Sequence, residues 1–172
     1  MKIWFAAAST ILLVAMVWPE PGRYRAEWLL ADANGRLSEA LRGATTGDAA
    51  LRSTETAFVQ SSEVMTLLPD DPRPALSASV ALLLLHRGAE AQAILTAAIQ
   101  QGERPELTLN LGRARGILGD ESGAHAAFLR TAWASPATVS TLPSAIRVPL
   151  LGQVEQLEKE LRAGTLLQAP SL

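Results

Sequence analysis

Apolar residues recur with helical periodicity along most of the chain, and no stretch alternates with the period of two that a half-buried strand needs. In the region 23–72 this pattern predicts one helix over Tyr24–Arg42 and a second over Ala49–Leu68. A turn is expected between them at 44–48, and the prolines and aspartates of 69–72 form a stop signal. The region 23–72 is therefore predicted to be a helical hairpin.

The pattern becomes repetitive over residues 73–136. Helices are predicted at 74–87, 91–101, 106–118 and 122–134. The turn glycines Gly88 and Gly119 and the prolines at positions 74, 105 and 136 all recur with the same period, which is 31. A repeating pair of helices predicts a short α-solenoid of antiparallel hairpins, so the whole chain is expected to be all-α.

The region 137–172 is predicted to be a capping helix with a tail. One apolar seam runs along an otherwise polar helix, through Leu150, Val154, Leu157 and Leu161. Pro149 suits the first turn of this helix and Gly164 its end. The end of a solenoid needs a helix with one apolar seam and a polar back. The same spacing leaves a coiled-coil dimer open as an alternative.

Residues 1–22 are predicted to be a signal anchor that forms a transmembrane helix. The run Ile3–Trp18 is uncharged, and its 16 residues would rise about 24 Å as a helix, somewhat less than a typical span of about 20 residues. A cleaved signal peptide is the alternative. The anchor is favoured because no cleavage site of small residues is evident, and because Trp4 and Trp18 bracket the run.

The expected location is the inner membrane of a bacterium, with a single span. Lys2 and the N-terminal position of the run favour a periplasmic body, whereas Arg23 and Arg25 argue for the opposite orientation. Basic residues are almost all arginine and alanine is abundant, as is typical of a GC-rich bacterial genome. Lipid is therefore an expected partner of the N-terminal helix.

Composition narrows the remaining possibilities. The chain has 172 residues, of which 48% are hydrophobic and 19% charged, enough apolar material for one folded domain. Its formal net charge of -2 leaves no positive excess for binding nucleic acid. The absence of cysteine excludes disulfides, thiolate metal sites and a lipid-modified cysteine.

The second repeated unit resembles the tetratricopeptide repeat. That family places Leu-Gly, then Ala-x-x-x-Phe, then Pro at fixed spacings, and these are matched by Leu111, Gly112, Ala124, Phe128 and Pro136. The preceding unit keeps the spacings more weakly, through Ala81, Ala93, Ala97 and Pro105. Thr108, Arg115 and Thr131 depart from the usual Trp, Tyr and Ala, and the period is 31 instead of 34.

The resemblance implies two things about these helices. Gly112 is expected at a close helix crossing that faces Ala124 and Phe128. A concave groove for a protein partner is expected along the first helix of each unit. Its positions fall on Leu82, Glu106, Leu109, Asn110 and Arg113. If Leu82, Leu85 and Leu109 face the groove, an apolar ligand segment fits better than an acidic chain terminus. Alternatively, these leucines all belong to the core.

No arrangement of catalytic groups is evident in the sequence. His86 and His125 lie in different units, Asp70-Asp71 is typical of a turn, and Glu155 and Glu158 fit a solvated helix face. There is no glycine-rich nucleotide loop and no paired nucleophile and base. We therefore expect no enzymatic activity, no cofactor, no metal and no small-molecule substrate.

Two functions are compatible with these features. The first is a membrane-anchored protein-protein interaction module, acting as an adaptor, scaffold or assembly factor in a bacterial envelope complex. The second is a permanent accessory subunit of a larger membrane complex for secretion, pilus formation, polysaccharide export or respiration. Without its anchor, a free module should be soluble and monomeric, whereas an obligate subunit should aggregate.

Overall fold

The computed structural model describes residues 20–166 and 168–172, and this part of the chain contains helices and no strand. The α-helices are α1 (Glu20–Leu41), α2 (Gly47–Leu67), α3 (Pro72–Leu84), α4 (Gly88–Gln101), α5 (Pro105–Ile117), α6 (Glu121–Ala134) and α7 (Ser144–Arg162). A short 3-10 helix, Thr138–Thr141, precedes α7. The expectation of an all-α fold is confirmed for the described residues.

The helices pack in the order of the chain. The pairs α1/α2, α3/α4 and α5/α6 are antiparallel hairpins, and each hairpin also packs on the next through α2/α3 and α4/α5. The first helices of adjacent hairpins contact each other side by side, α1 with α3 and α3 with α5, and the described part of the second helices shows no comparable contact. The surface formed by α1, α3 and α5 is therefore the inner side of the stack, here called the concave face.

The second helices of the three hairpins bury equivalent positions. In each helix the buried residues include three at positions i, i+4 and i+7. These are Ala57, Ser61 and Val64 in α2, Ala91, Leu95 and Ala98 in α4, and Ala124, Phe128 and Thr131 in α6. The interval from one triplet to the next is 34 and then 33. The three hairpins therefore follow the same packing scheme. The first of them is the hairpin that was predicted in the region 23–72.

The period expected from the glycines and prolines is wrong. Helices α3 and α5 begin at Pro72 and Pro105, so the period between these two hairpins is 33 instead of the expected 31. Ala93 and Ala97, which the shorter period placed at the helix contact, are exposed. The error arises because proline is tolerated anywhere in the first turn of a helix, so Pro74 and Pro105 need not be equivalent.

The turns of the two repeated units follow the same corrected period. His86 and Gly119 both have positive φ, at 55° and 77°, between the two helices of their hairpins. Gly88 was expected to form the first of these turns, but it is the first residue of α4. A Cβ atom at Gly88 would lie 2.9 Å from Cγ2 of Ile117, so this glycine permits close approach of α4 to α5.

The predicted anchor lies almost wholly outside the described residues. Its last three residues, 20–22, belong to α1. Among the described residues, no helix is both long enough and apolar enough to cross a membrane.

The C-terminal helix caps the stack with its first half. Helix α7 packs on α6, and the 3-10 helix packs on both α5 and α6. Leu150 and Val154 are buried, but Leu161 is 54% exposed, so the expected seam is used only in part. The helix also begins earlier than expected, and Pro149 lies inside it.

Candidate functional site

The two leucines predicted for the groove are core residues. Leu82 is fully buried and belongs to a cluster that also contains Leu95 and Leu107. Leu109 is 6% exposed and packs in a second cluster with Phe128 and Leu142. Neither side chain can contact a ligand in this conformation. The prediction of Leu82 and Leu109 as groove residues is therefore corrected, in favour of the alternative that both belong to the core.

Asn110 is also turned inward, where it orients Arg113. The amide of Asn110 is 3% exposed, and its Nδ2 donates a hydrogen bond to Oγ of Ser79 at 3.4 Å. Its Oδ1 accepts a bond of 3.0 Å from Nη1 of Arg113, whose Nη2 donates to Oγ1 of Thr141 at 2.7 Å. The resemblance placed Asn110 in the groove, but in this structure its amide bonds to internal partners.

Arg113 is half-buried on α5, and within the described residues it makes no ion pair with a carboxylate. Burial lowers the pKa of its guanidinium group, because desolvation disfavours the charged form. Glu106 is exposed in the first turn of the same helix. Of the five predicted groove residues, only Glu106 and Arg113 thus reach the surface.

The corrected period locates the equivalent positions on α3. With the period of 33 that separates α3 from α5, the counterparts of Leu109, Asn110 and Arg113 are Leu76, Ser77 and Val80. These three residues line a cavity of about 330 Å³ on the concave face, together with Asn34, Leu37, Ser38, Leu41 and Arg42 of α1. We call this cavity the α1–α3 pocket. The sequence-based prediction missed this cavity because it used a period of 31 instead of 33.

The α1–α3 pocket combines apolar walls with a polar bridge. Oγ of Ser77 donates a hydrogen bond of 2.7 Å to Oδ1 of Asn34, which ties α3 to α1. Leu41 stands at the end of α1 with 64% of its surface exposed, although it lines the pocket. The pocket is suited to an apolar side chain of a partner, with Asn34 and Arg42 available at its edge.

The C-terminal segment covers the α5 end of the concave face. Val139 of the 3-10 helix and the following Leu142 pack in the same cluster as Leu109. Nη1 of Arg147 donates a hydrogen bond of 2.8 Å to the carbonyl of Ser140, which holds this segment against α7. Leu109, the residue of the last hairpin that is equivalent to Leu76, is therefore covered. The concave face is open at its α1–α3 end.

A second cavity lies on the other side of the stack. It has a volume of about 440 Å³ and separates α2 from α4, with Met65 and Leu68 on one wall and Ala93, Ile94 and Ala97 on the other. The small alanines leave this cleft between the second helices. Its lining is largely apolar, and no sequence-based prediction had placed a site there.

The histidines take part in local structure. His86 occupies the left-handed turn between α3 and α4, and Nε2 of His125 is 3.0 Å from Oε1 of Gln153 on α7. Within the described residues no three acidic or histidine side chains gather closely enough to hold a metal ion.

Comparison of the chain with protein-family models, curated proteins and solved structures gives no match.

Proposed function

We propose that this chain is a membrane-anchored protein-protein interaction module of the tetratricopeptide type, without catalytic activity of its own. It would act as an adaptor or assembly factor in a bacterial envelope complex, with its body in the periplasm. The observation that carries the proposal is the open α1–α3 pocket on the concave face of three equivalent hairpins.

The assignment to the tetratricopeptide type is supported by the buried positions of the second helices. In the family, a small residue, a large residue and a second small residue follow at i, i+4 and i+7. The triplet Ala91, Leu95 and Ala98 fits this pattern, and Ala124, Phe128 and Thr131 fits it with one polar substitution. Gly112 supplies the close approach that the family needs between its two helices.

The ligand class follows from the pocket walls. Leu41, Leu76 and Val80 offer apolar contact, and no cluster of basic side chains surrounds them in the described residues. An apolar side chain on an extended or helical segment of the partner would enter this space, whose volume is at the lower end of the range of about 300–1,000 Å³ for binding cavities.

The proposal is tested by co-purification of partners with the tagged full chain from detergent-solubilised membranes. The substitution Leu41→Arg places a charge at the pocket, and Val59→Arg is its control on α2. The two positions match well, since Leu41 is 64% and Val59 is 63% exposed. We expect a partner that is retained by the wild type and by Val59→Arg and is lost with Leu41→Arg. Retention by both variants would argue against the pocket.

A permanent accessory subunit is the second candidate. It is favoured by the large apolar side chains that the first hairpin exposes, among them Trp28, Leu51 and Val59. A subunit buried on several sides should lose its partners with Val59→Arg as well as with Leu41→Arg. The anchor itself is tested by the intact mass of the membrane-purified chain, because signal peptidase would remove roughly 15 to 20 residues.

A further inference from the structure

The outer side of α1 carries an uncharged, exposed stripe. It consists of Tyr24, Trp28, Ala31 and Gly35, at positions i, i+4, i+7 and i+11 of one helix face. The opposite side of α1 holds the buried residues, such as Ala26, Leu30 and Ala33. Tyr24 is 69% and Trp28 is 66% exposed, the highest fractions among the large apolar side chains described. Neither α2 nor α3 can cover this stripe, because both pack on the buried side.

We propose that this stripe, here called the α1 aromatic stripe, lies in the headgroup layer of the membrane, with lipid as its occupant. The inference rests on the membrane anchor of the proposed function. The apolar run ends at Trp18 and α1 is described from Glu20 onwards, so the stripe lies close in sequence to the point where an anchor would leave the hydrocarbon. Its two aromatic residues, Tyr24 and Trp28, follow within about the first three turns of α1.

Distance decides how α1 must lie. Trp28 is about 12 Å from Glu20 along the helix axis, at roughly 1.5 Å per residue. The headgroup layer on one side of a bilayer is only about 5–8 Å thick. A helix that stood upright would carry Trp28 out of this layer, whereas one lying along the surface keeps both aromatic side chains within it. The α1 aromatic stripe is the side that such a helix would present.

The residue types favour lipid over a second copy of the chain. Tyr and Trp have an apolar ring with a polar group and concentrate at membrane interfaces, and Tyr24 is the only tyrosine in the sequence. Two such side chains bury at most about 500 Å². A stable protein interface needs about 800 Å² from each partner, so the stripe alone is too small for a dimer.

Charge indicates which lipid is needed. Arg25 and Glu27 flank the stripe, but Arg25 pairs with Glu63, and Glu27 pairs with Arg73 at 2.6 Å. The stripe itself carries no charge, so zwitterionic lipid should suffice. Because α2 and α3 pack on the side of α1 that faces away from the stripe, the later hairpins would rise from the bilayer and α7 would be farthest from it.

The lack of native cysteine permits a direct test on the full chain. A nitroxide label on Ala31→Cys lies on the stripe and keeps both aromatic residues, and the control Ala145→Cys is an exposed alanine at the start of α7. The labelled chains are reconstituted into phosphatidylcholine vesicles and floated on a density gradient. Collision of the label with oxygen and with a nickel chelate is then measured by electron paramagnetic resonance.

We expect the label at position 31 to lose access to the nickel chelate and to keep access to oxygen, while the label at 145 stays open to both. Adding Tyr24→Ser and Trp28→Ser should restore nickel access at 31 without preventing flotation. If the chain floats but the labels at 31 and 145 are equally accessible, the inference is wrong and the anchor stands. Protection at 31 with dipolar broadening between labels would assign the stripe to a second copy and overturn the inference. A chain that does not float would contradict the anchor and, with it, this inference.

Discussion

Gly112 of α5 lies directly against the aromatic ring of Phe128 of α6. An added Cβ atom at Gly112 would be 2.5 Å from Cδ1 of Phe128, well inside van der Waals contact. The ring is fixed in turn by its burial among Leu109, Val139 and Leu142. Helices α5 and α6 can therefore cross at this distance only if residue 112 has no side chain. The close crossing expected from the sequence is confirmed at Gly112 and Phe128.

The substitution Gly112→Leu should destabilise the fold by about 1–3 kcal/mol or more, because the hairpin would be overpacked. The control is Gly116→Ala on the same helix, where no described atom lies within 4 Å of the added Cβ. That change should stabilise the chain by up to about 1 kcal/mol, since glycine is a poor helix former. Thermal unfolding of the full chain in detergent measures both. A raised midpoint for Gly112→Leu would contradict the close crossing.

Thr108 and Thr131 form a buried polar pair in the last hairpin, and their coupling can be measured. Their hydroxyl oxygens are 2.8 Å apart, and Oγ1 of Thr131 also donates to the carbonyl of Ala127 at 2.8 Å. Either single change to valine should cost about 0.5–1.5 kcal/mol. The double change should cost no more than one single change, because two apolar groups of the same shape replace the pair. Strictly additive losses in a double-mutant cycle would contradict this coupling.

Asn110 should matter for stability because it is turned inward. Asn110→Leu removes the acceptor of the half-buried Arg113 and should cost about 1–3 kcal/mol. Asn110→Asp keeps an acceptor beside the guanidinium group and should be less damaging at neutral pH. Chemical denaturation of the two variants shows which of them loses more stability. If Asn110 faced an open groove instead, both variants would unfold like the wild type.

Arg73 makes the contact between α1 and α3 sensitive to acid. Its guanidinium Nη2 is 2.6 Å from Oε1 of Glu27 and 2.6 Å from Oδ2 of Asp71. The hydrogen bonds from Arg73 lower the pKa of both carboxyl groups below their ordinary values of 4.5 and 3.8. A lowered pKa in the folded state means that this stabilisation is present above the ordinary pKa and is lost as the pH falls through the folded pKa.

Arg73→Gln should therefore lower the unfolding midpoint at pH 7 and have a smaller effect at pH 3. The control is Arg52→Gln, an exposed arginine of α2 that makes no ion pair among the described residues. The measurement compares the midpoints of the three chains at the two pH values. An Arg73→Gln effect of the same size at both would show that the pair adds no pH-dependent stability.

Local sequence was enough to predict the helices and the existence of hairpins. Helical periodicity and turn residues act over a few neighbours, so the helices near 24–42 and 106–118 could be read directly. Asp71 illustrates this, since its carboxylate accepts a hydrogen bond of 2.9 Å from the amide of Arg73 at the start of α3. Gly112 could also be placed, because its spacing from Ala124 and Phe128 resembles the tetratricopeptide pattern, which implies a close approach of two helices at this glycine.

Only the tertiary structure decided which residues of these helices are accessible. Leu76 and Leu109 are equivalent in the repeat, yet Leu76 lines an open pocket and Leu109 is buried. The difference comes from Val139 and Leu142, which lie beyond α6 in the chain, cover the last hairpin and leave α3 open. The period of the repeat was also decided by the tertiary structure, because several prolines and alanines fit the pattern of a helix equally well. Burial selects among them, and burial depends on neighbours that periodicity along the chain does not specify.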